Sequence, residues 1–290
     1  MQIGFIGLGN LGTPIALNLL ERTGQLFVYN RTASRTGPLQ ANGAVACESV
    51  AQLAGRCDLV FSMVADDAAL NHISLPPDGI AAHLRPGGIH VSMSTVLPAT
   101  ASRLAGIHEA AGQHYVAAPV MGRPEAAAAK KLLFLASGPA AAVATVKPYL
   151  LQCGALGVWE FGEEVGAANV AKLCNNYLIA SAIESMAEAL RLARKSGLDT
   201  QQWMNMITQT LFNAPVYINY GNLLMKEVYE PASFYLRLGL KDVNLVLEQA
   251  STAGTPMPVA EQLKRQLDTC MAMGLGEQDW TAIARALDRP

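Results

Sequence analysis

Short apolar runs alternate with amphipathic stretches through the first half of the chain. The apolar runs predict strands at residues 2–6, 26–30, 58–64, 89–93, 114–120 and 131–138. The stretches between them predict helices at residues 13–22, 49–54, 68–72, 98–111 and 140–151. Because strands and helices alternate with short turns, we expect an α/β fold with a parallel, doubly wound sheet.

The second half of the chain shows only helical patterns. Its first helix is long, because residues 167–196 contain neither Pro nor Gly and Gly197 is placed to end them. Proline-marked breaks separate further predicted helices at residues 200–211, 217–225, 240–253, 259–273 and 280–287. We therefore expect two domains, residues 1–162 and an all-helical domain at residues 163–290, joined by the long interdomain helix. Helices rich in Met, Leu and Ala are typical of a homodimer or a higher homo-oligomer.

A glycine-rich turn follows the first strand directly and leads into the first helix. It has the pattern G-x-G-x-x-G, in the strand–turn–helix context that dinucleotide binding requires. Its glycines allow the tight turn, the approach of a pyrophosphate to the backbone, and close packing of helix against strand. The positive end of the helix then faces the phosphates. We therefore expect a Rossmann-type domain with cofactor contacts at Gly7, Gly9, Asn10, Leu11 and Gly12.

The end of the second strand indicates which dinucleotide is bound. An NAD site usually has Asp or Glu at this point, to bind the ribose hydroxyls. This chain has Asn30, Arg31 and Thr32, with Arg35 close by and no carboxylate. A guanidinium and a hydroxyl suit a 2′-phosphate, so NADP (as NADPH) is the predicted cofactor. The alternative is an exposed basic turn that binds no ligand.

Polar residues interrupt the start of the long, otherwise apolar helix. Lys172 and Asn176 are four residues apart, so they project from one face, one turn apart. Asn169 and Asn175 belong to the same turns. An ammonium and a carboxamide on an apolar helix indicate a polar site. The alternative is a frayed, solvated first turn.

Charge and residue usage exclude several classes of function. A formal net charge of -2 argues against nucleic acid or a membrane surface as partner. The start, MQIGFIGLGN, lacks the basic segment of a signal peptide, and no run reaches the ~18 uncharged apolar residues of a membrane span. The five cysteines form no C-x-x-C pair, so we expect reduced thiols in a cytoplasmic protein. The five histidines lack metal-ligand spacing, so no metal is expected.

Several motifs in order along the chain resemble those of the β-hydroxyacid dehydrogenase family. This family includes 3-hydroxyisobutyrate dehydrogenase, tartronate semialdehyde reductase and the glyoxylate/succinic semialdehyde reductases. The motifs are GFIGLGNLG at 4–12, NRT at 30–32, STV at 94–96, APV at 118–120, G-x-x-x-x-x-K-x-x-x-N at 166–176, and LKDVNL at 240–245. The resemblance covers nearly the whole chain and is far more specific than any one motif.

The resemblance implies an NADP-dependent oxidoreductase acting on a small-molecule carbonyl or alcohol. It implies that Lys172 is the catalytic acid/base and that Asn176 helps to hold the substrate. In reduction, Lys172 would protonate the carbonyl oxygen as the nicotinamide delivers a hydride to the carbon. It further implies cofactor contacts at Met63, Val64, Ala65, Thr95 and Lys241.

The substrate loop departs from the family pattern. The family usually has D-x-P-V-S-G-G there, whose serine and glycine backbone bind a carboxylate. This chain has AAPVMGR, so Met121, Gly122 and Arg123 are the expected substrate contacts at the changed positions. If Arg123 points into the cleft, it can bind an acidic substrate; if it points to solvent, Met121 leaves an apolar wall for neutral carbonyls.

Three functions fit this departure. Reduction of a short aldehyde or a hydroxyacid-like substrate ranks first, because Lys172 is retained. An imine reductase-like NADPH enzyme ranks second, because imine reductases share the fold and the NRT turn, although they typically lack the lysine. A catalytically idle NADPH-binding protein ranks third, since the Lys172/Asn176 pair argues against it.

Overall fold

The computed structural model describes residues 1–288. The chain forms two compact units, Met1–Lys172 and Leu173–Pro290. The domain boundary predicted between residues 162 and 163 stays a prediction. Within the described residues, no helix combines the length and the apolar character needed to cross a membrane.

A six-stranded sheet forms the centre of the first unit, and every pairing in it is parallel. Its strands are β1 Ile3–Ile6, β2 Phe27–Tyr29, β3 Val45–Ala46, β4 Leu59–Ser62, β5 Ile89–Ser92 and β6 His114–Ala117. Their order in the sheet is β3-β2-β1-β4-β5-β6. The chain thus starts at the middle of the sheet and winds outward in both directions, which confirms the predicted Rossmann-type topology.

The α-helices of this unit cover the sheet and shape the loops at its edge. They are α1 Gly12–Thr23, α2 Gly37–Gln40, α3 Val50–Ala54, α4 Asp67–Ser74, α5 Ile80–His83, α6 Pro98–Ala110, α7 Pro124–Ala128 and α8 Ala140–Gln152. Asp66 caps α4, because its Oδ1 accepts a hydrogen bond from Ala69 N at 2.8 Å. This cap fixes where the loop after β4 ends and the helix begins.

One predicted strand is wrong in its extent. The pattern predicted a single strand at residues 114–120, but β6 ends at Ala117 and a separate strand, β7, runs from Val120 to Met121. Between them, Ala118 N still donates to Ser92 O at 2.7 Å, whereas Pro119 has no N–H and its carbonyl accepts from Leu135 N at 3.0 Å. The chain therefore changes from one sheet to another at this proline.

The second sheet was not expected as a separate element. It has the order β7-β8-β9, where β8 is Leu132–Ala136 and β9 is Ala155–Glu160. Strand β8 pairs antiparallel with β7 and parallel with β9. Strand β9 gave no clear sequence signal, because a glycine interrupts it and none of its residues is fully buried. The predicted strand at residues 131–138 therefore exists but lies outside the doubly wound sheet.

A chain of hydrogen bonds between buried polar side chains crosses the interior of this unit. Gln113 donates its Nε2 protons to backbone carbonyls, so its Oε1 accepts from His108 Nδ1 at 2.6 Å. His108 Nε2 is then the acceptor for His90 Nδ1 at 3.0 Å, and His90 Nε2 accepts from Ser62 Oγ at 2.8 Å. Both imidazoles are thereby held neutral, each with its proton on Nδ1. Burial lowers the pKa of both His90 and His108.

The second unit consists of helices and the loops that connect them over its described residues, as predicted. Helix α9, Ala167–Lys195, is 29 residues long and runs through the division between the two units. It is followed by α10 Thr200–Gln209, α11 Pro215–Lys226, α12 Leu236–Thr252 and α13 Pro258–Ala272. The core of this unit is apolar and draws on several helices, with Ile183, Leu190, Leu263 and Trp280 among its buried members.

The last predicted helix differs in type. Residues Trp280–Asp288 form a 3₁₀ helix rather than an α-helix. Its start is fixed by Asp279, whose Oδ1 accepts hydrogen bonds from Thr281 N at 3.2 Å and Thr281 Oγ1 at 3.0 Å. Trp280 packs edge-on against Tyr220 and Phe234, which keeps this segment in the core.

We expect acid to destabilise the protein through the buried histidine pair. A histidine whose folded pKa is lowered contributes stability that is present above its ordinary pKa of 6.5 and is lost as the pH falls below it. The loss is at most about 1.4 kcal/mol per pH unit for a ring that stays neutral in the folded protein. His108→Gln removes one ring, so its free energy of unfolding, measured by urea titration from about pH 7.5 to 5.5, should depend on pH correspondingly less.

The exposed His72 supplies the control for this comparison. His72→Gln should reproduce the wild-type pH dependence, because it leaves both buried rings in place. An identical slope in His108→Gln and wild type would show that the buried pair is not what acid disrupts.

Candidate active site

The glycine turn after β1 is as tight as the sequence predicts. Gly7 has φ of 98°, and a Cβ built on it would lie 2.1 Å from the carbonyl oxygen of Met63. A Cβ on Gly12 would lie 2.1 Å from the carbonyl oxygen of Gly7. Neither position accepts a side chain, so the end of β1, the end of β4 and the start of α1 meet in direct backbone contact.

Gly9, the middle glycine of the turn, is not packed against other atoms. A Cβ on Gly9 would meet no atom within 4 Å, so the space above this glycine is open. Helix α1 begins directly beyond it, and its N-cap residue Leu11 makes no side-chain cap hydrogen bond. An open backbone surface beside an uncapped helix N-terminus fits the diphosphate of a dinucleotide.

The side chain of Asn30 braces this turn from the end of β2. Its Oδ1 accepts a hydrogen bond from Leu8 N at 2.8 Å, and its Nδ2 donates to Thr32 O at 2.9 Å. Arg31 and Thr32 themselves are exposed and follow directly. The structure therefore gives Asn30 a role in holding the loop, while a direct cofactor contact from it stays a prediction.

Two loops at the carboxyl edge of the sheet are tied together. Met63 N continues the pairing with β1 by donating to Ile6 O at 2.8 Å. Val64 N donates to Ser94 Oγ at 2.9 Å, which links the loop after β4 to the loop after β5. Thr95, in this second loop, is half-buried. The predicted contact residues Met63, Val64 and Thr95 thus lie at one edge, as the topological rule for ligand sites requires.

Lys172 is buried, which excludes the solvated first turn considered as an alternative. The residue is 8% exposed, although it lies within two turns of the start of α9. Its Nζ lies 3.3 Å from Met121 Sδ. A thioether is only a weak hydrogen-bond acceptor, so the ammonium has an apolar, polarisable wall where the family usually has a serine.

The rest of the substrate loop is shaped by Gly122 and Arg123. Gly122 has φ of 139°, and a Cβ on it would lie 2.5 Å from Leu132 Cδ2, so this position requires glycine. Arg123 is half-buried and precedes α7. Its Nε has no contact with solvent. Whether its guanidinium points into the cleft and binds substrate stays a prediction.

Asn176 is held by a residue that the sequence analysis did not single out. In the second unit, Asn176 Nδ2 donates to Asp242 Oδ2 at 2.6 Å. Both side chains are buried, and Lys241 Nζ lies 2.9 Å from the other oxygen, Asp242 Oδ1. The carboxylate therefore orients the carboxamide and is itself compensated by an ammonium. The signal for Asp242 was its place beside Lys241 in LKDVNL.

The side chains on this part of α9 are suited to proton transfer and polar recognition. The potential donors are the ammonium of the buried Lys172 and the oriented carboxamide of Asn176, one turn apart on α9. Among residues 1–288, no group of three or more His, Cys, Asp or Glu side chains is placed to hold a metal ion.

Comparison with known protein families agrees with the motifs. A model of the NAD binding domain of 6-phosphogluconate dehydrogenase matches residues 2–174. A second model, for the NAD-binding part of NADP-dependent 3-hydroxyisobutyrate dehydrogenase, matches residues 166–287. The chain belongs to the β-hydroxyacid dehydrogenase family. It is an NAD(P)-dependent oxidoreductase of that type, as the sequence motifs predicted.

Individual relatives of this β-hydroxyacid dehydrogenase match it over nearly its full length. The uncharacterised oxidoreductase YfjR of Bacillus subtilis is 39% identical over 99% of this chain and 100% of its own. The chloroplastic glyoxylate/succinic semialdehyde reductase 2 of Arabidopsis thaliana is 31% identical over 99% of this chain and 79% of its own. The solved structure of Psf3 in complex with NADP+ and 2-OPP has a TM-score of 0.87 at 26% identity, covering 98% of this chain and 99% of that one.

The buried pair of Asn176 and Asp242 should be energetically coupled. We expect a double-mutant cycle with Asn176→Ala and Asp242→Ala to give a coupling free energy of about 1.5–3 kcal/mol, the usual range for a hydrogen bond to a charged group. Urea unfolding of the four proteins measures it.

An exposed pair in the same unit is the matched control. Lys264 Nζ lies 2.5 Å from Asp268 Oδ2, but both side chains are more than one-third exposed. A cycle on this pair should give less than about 1 kcal/mol. If the buried pair couples no more strongly than the exposed pair, Asp242 does not hold Asn176 as described.

Proposed function

We propose that this enzyme transfers a hydride between NADP(H) and a small carbonyl or alcohol, a short aldehyde or a hydroxyacid-like compound. Lys172 is the general acid/base and Asn176 holds the substrate. The observation that carries the proposal is the burial of Lys172 near the start of α9. A buried ammonium on an apolar helix is costly unless it serves a polar purpose.

Lys172 moves the proton in this reaction. A nicotinamide held at this site would supply the hydride for the carbonyl carbon in reduction and would accept the hydride in oxidation. In reduction, Lys172 Nζ donates a proton to the carbonyl oxygen; in oxidation, it takes the proton from the alcohol. Met121 Sδ is a weak hydrogen-bond acceptor. A carbonyl oxygen accepts a stronger hydrogen bond, so a substrate carbonyl can replace the sulfur as a partner of the Lys172 ammonium.

Asn176 positions the substrate in the proposal. It follows Lys172 by one helical turn, so both side chains leave α9 on one face. Since Asn176 Nδ2 is engaged by Asp242, the orientation of the carboxamide is set before any ligand arrives. Preset orientation lowers the entropy that binding must otherwise remove.

The cofactor of the proposal is NADP(H) rather than NAD(H). Arg31 and Thr32 stand exposed directly after β2, where a ribose-binding carboxylate would be expected for NAD. The brace formed by Asn30 keeps this turn in place beside the glycine turn. The NADP+ complex of the solved relative supports the same choice. Met63, Val64, Ala65, Thr95 and Lys241 complete the proposed cofactor contacts.

A second candidate function is the reduction of imines. Met121 favours it, because an apolar wall beside the reacting group suits substrates without a carboxylate. The retained Lys172 favours carbonyl reduction over imine reduction. It also argues against a protein that only binds NADPH, because binding alone requires no acid/base. The proposal also retains the domain boundary at residues 162 and 163 and a homodimer or higher homo-oligomer.

The first prediction from this proposal concerns Arg31. Arg31→Ala should raise the Kd for NADPH about ten- to a hundredfold, because a charge-assisted contact to a phosphate is worth about 1.5–3 kcal/mol. Its affinity for NADH should not change. Fluorescence titration with both cofactors measures this, and the exposed Arg22 of α1 provides the control variant Arg22→Ala. Equal affinity of the wild type for NADH and NADPH would contradict the assignment.

The second prediction concerns the proton. Lys172→Ala should lower kcat for carbonyl reduction by roughly 10²–10⁴, the usual contribution of a positioned acid. NADPH affinity should change little. Lys195→Ala, at the exposed end of the same helix, should behave like wild type. Near-normal turnover of carbonyls by Lys172→Ala would remove the lysine from the mechanism and favour imine reduction.

The third prediction concerns substrate choice. If Arg123 binds an acidic group, Arg123→Ala should raise KM for oxo acids about tenfold or more and leave neutral aldehydes unchanged. Met121→Ser restores the family's hydroxyl and should improve activity on short hydroxyacids. Steady-state kinetics on paired acidic and neutral substrates distinguish the two residues. Wild-type behaviour of both variants on every substrate would show that this loop does not set specificity.

A further inference from the structure

Asn169, in the first turn of α9, has a hydrogen-bond partner for its side-chain nitrogen but none for its side-chain oxygen. The side chain is 2% exposed. Its Nδ2 donates to the carbonyl oxygen of Val96 at 3.4 Å, which fixes the orientation of the amide. Its Oδ1 is buried and has no hydrogen-bond partner among the described residues. Buried hydrogen-bond acceptors normally have a donor. We therefore expect a bound ligand to donate a hydrogen bond to this oxygen.

The position of this oxygen is fixed by the structure around it. Ala168 N, at the preceding residue, donates to Ser137 Oγ at 3.0 Å. The same hydroxyl donates to Val165 O at 2.6 Å, so Ser137 ties down both sides of the helix start. Ser137 is fully buried. The unpaired oxygen therefore belongs to a rigid first turn and not to a fraying end.

The neighbours of Asn169 indicate what kind of donor arrives. Val96 directly follows Thr95 in the loop after β5, at the edge of the sheet where a dinucleotide binds. Lys172 follows Asn169 by three residues, so the two side chains leave the helix on one side. A carbonyl substrate has no proton to give to an acceptor, and the hydroxyl proton of an alcohol substrate is the one that Lys172 takes in the proposed reaction. The carboxamide of a nicotinamide ring has two N–H protons and must lie close to the reacting groups.

We propose that Asn169 Oδ1 accepts a hydrogen bond from the carboxamide N–H of the bound nicotinamide ring. The contact sets the rotation of the ring about its bond to the ribose, and so determines which face of the ring is turned toward the substrate. Asn169 is in this sense a positioning residue, and Lys172 remains the acid/base. The assignment rests on the proposed function, which places the nicotinamide beside Lys172.

A cofactor analogue without the N–H donors tests this contact directly. In 3-acetylpyridine adenine dinucleotide phosphate, a methyl ketone replaces the carboxamide. We expect the wild type to bind NADP+ about five- to tenfold more tightly than this analogue in calorimetric titration, the effect of one hydrogen bond. In Asn169→Ala the ratio of the two dissociation constants should fall to about one. Because the ratio compares two ligands on one protein, a general weakening of binding cancels.

Two further variants separate the contact from structural damage. Asn169→Asp keeps an acceptor oxygen, so its preference for NADP+ should persist even if stability falls. Asn175→Ala changes the same residue type on the same helix, at a half-buried position, and should keep the wild-type ratio. Circular dichroism confirms that each variant is folded.

The outcomes distinguish this assignment from the function on which it rests. Equal binding of NADP+ and the analogue by the wild type, or an unchanged ratio in folded Asn169→Ala, would overturn the Asn169 contact alone. If the protein binds NAD+ better, the same ratio measured with the corresponding NAD+ analogue decides the question. Absence of binding of every dinucleotide would overturn the proposed function and this contact with it.

Discussion

The direct backbone contact at the end of β1 is the constraint on which the rest of the structure depends. Gly7 approaches the carbonyl of Met63 so closely that no Cβ fits, and Gly12 approaches the carbonyl of Gly7 in the same way. Two strands and one helix are thereby fixed at a single point. Gly7 and Gly12 are packed against backbone atoms, whereas nothing lies within 4 Å of a Cβ built on Gly9. The surface of the turn at Gly9 is therefore open to a ligand.

Three polar residues near the start of α9 are buried, and their surroundings differ. Lys172 Nζ lies beside the thioether sulfur of Met121. Asn176 is oriented by a buried carboxylate that an adjacent ammonium compensates. Asn169 keeps one acceptor unpaired. A helix with three such groups in its first three turns costs stability, and that cost is typical of a functional site.

The sequence predicted what local patterns determine and missed what distant contacts determine. The glycine turn and the long helix follow from residues close together in the chain. The second sheet depends on Pro119, where the chain leaves one sheet because a hydrogen-bond donor is missing. Asp242 lies 66 residues from Asn176, so no local pattern joins them. The orphaned oxygen of Asn169 depends on the absence of a partner in space, which spacing along the chain does not reveal.

The most direct test of the account is a screen for turnover with the wild-type enzyme. Oxidation of NADPH is followed by absorbance with small aldehydes, 2- and 3-oxo acids and cyclic imines, each at equal concentration, and the products are identified. The account predicts turnover of at least one aldehyde or oxo acid, with higher kcat/KM for NADPH than for NADH. Turnover of imines alone, or NADPH binding without turnover of any of these compounds, would contradict it.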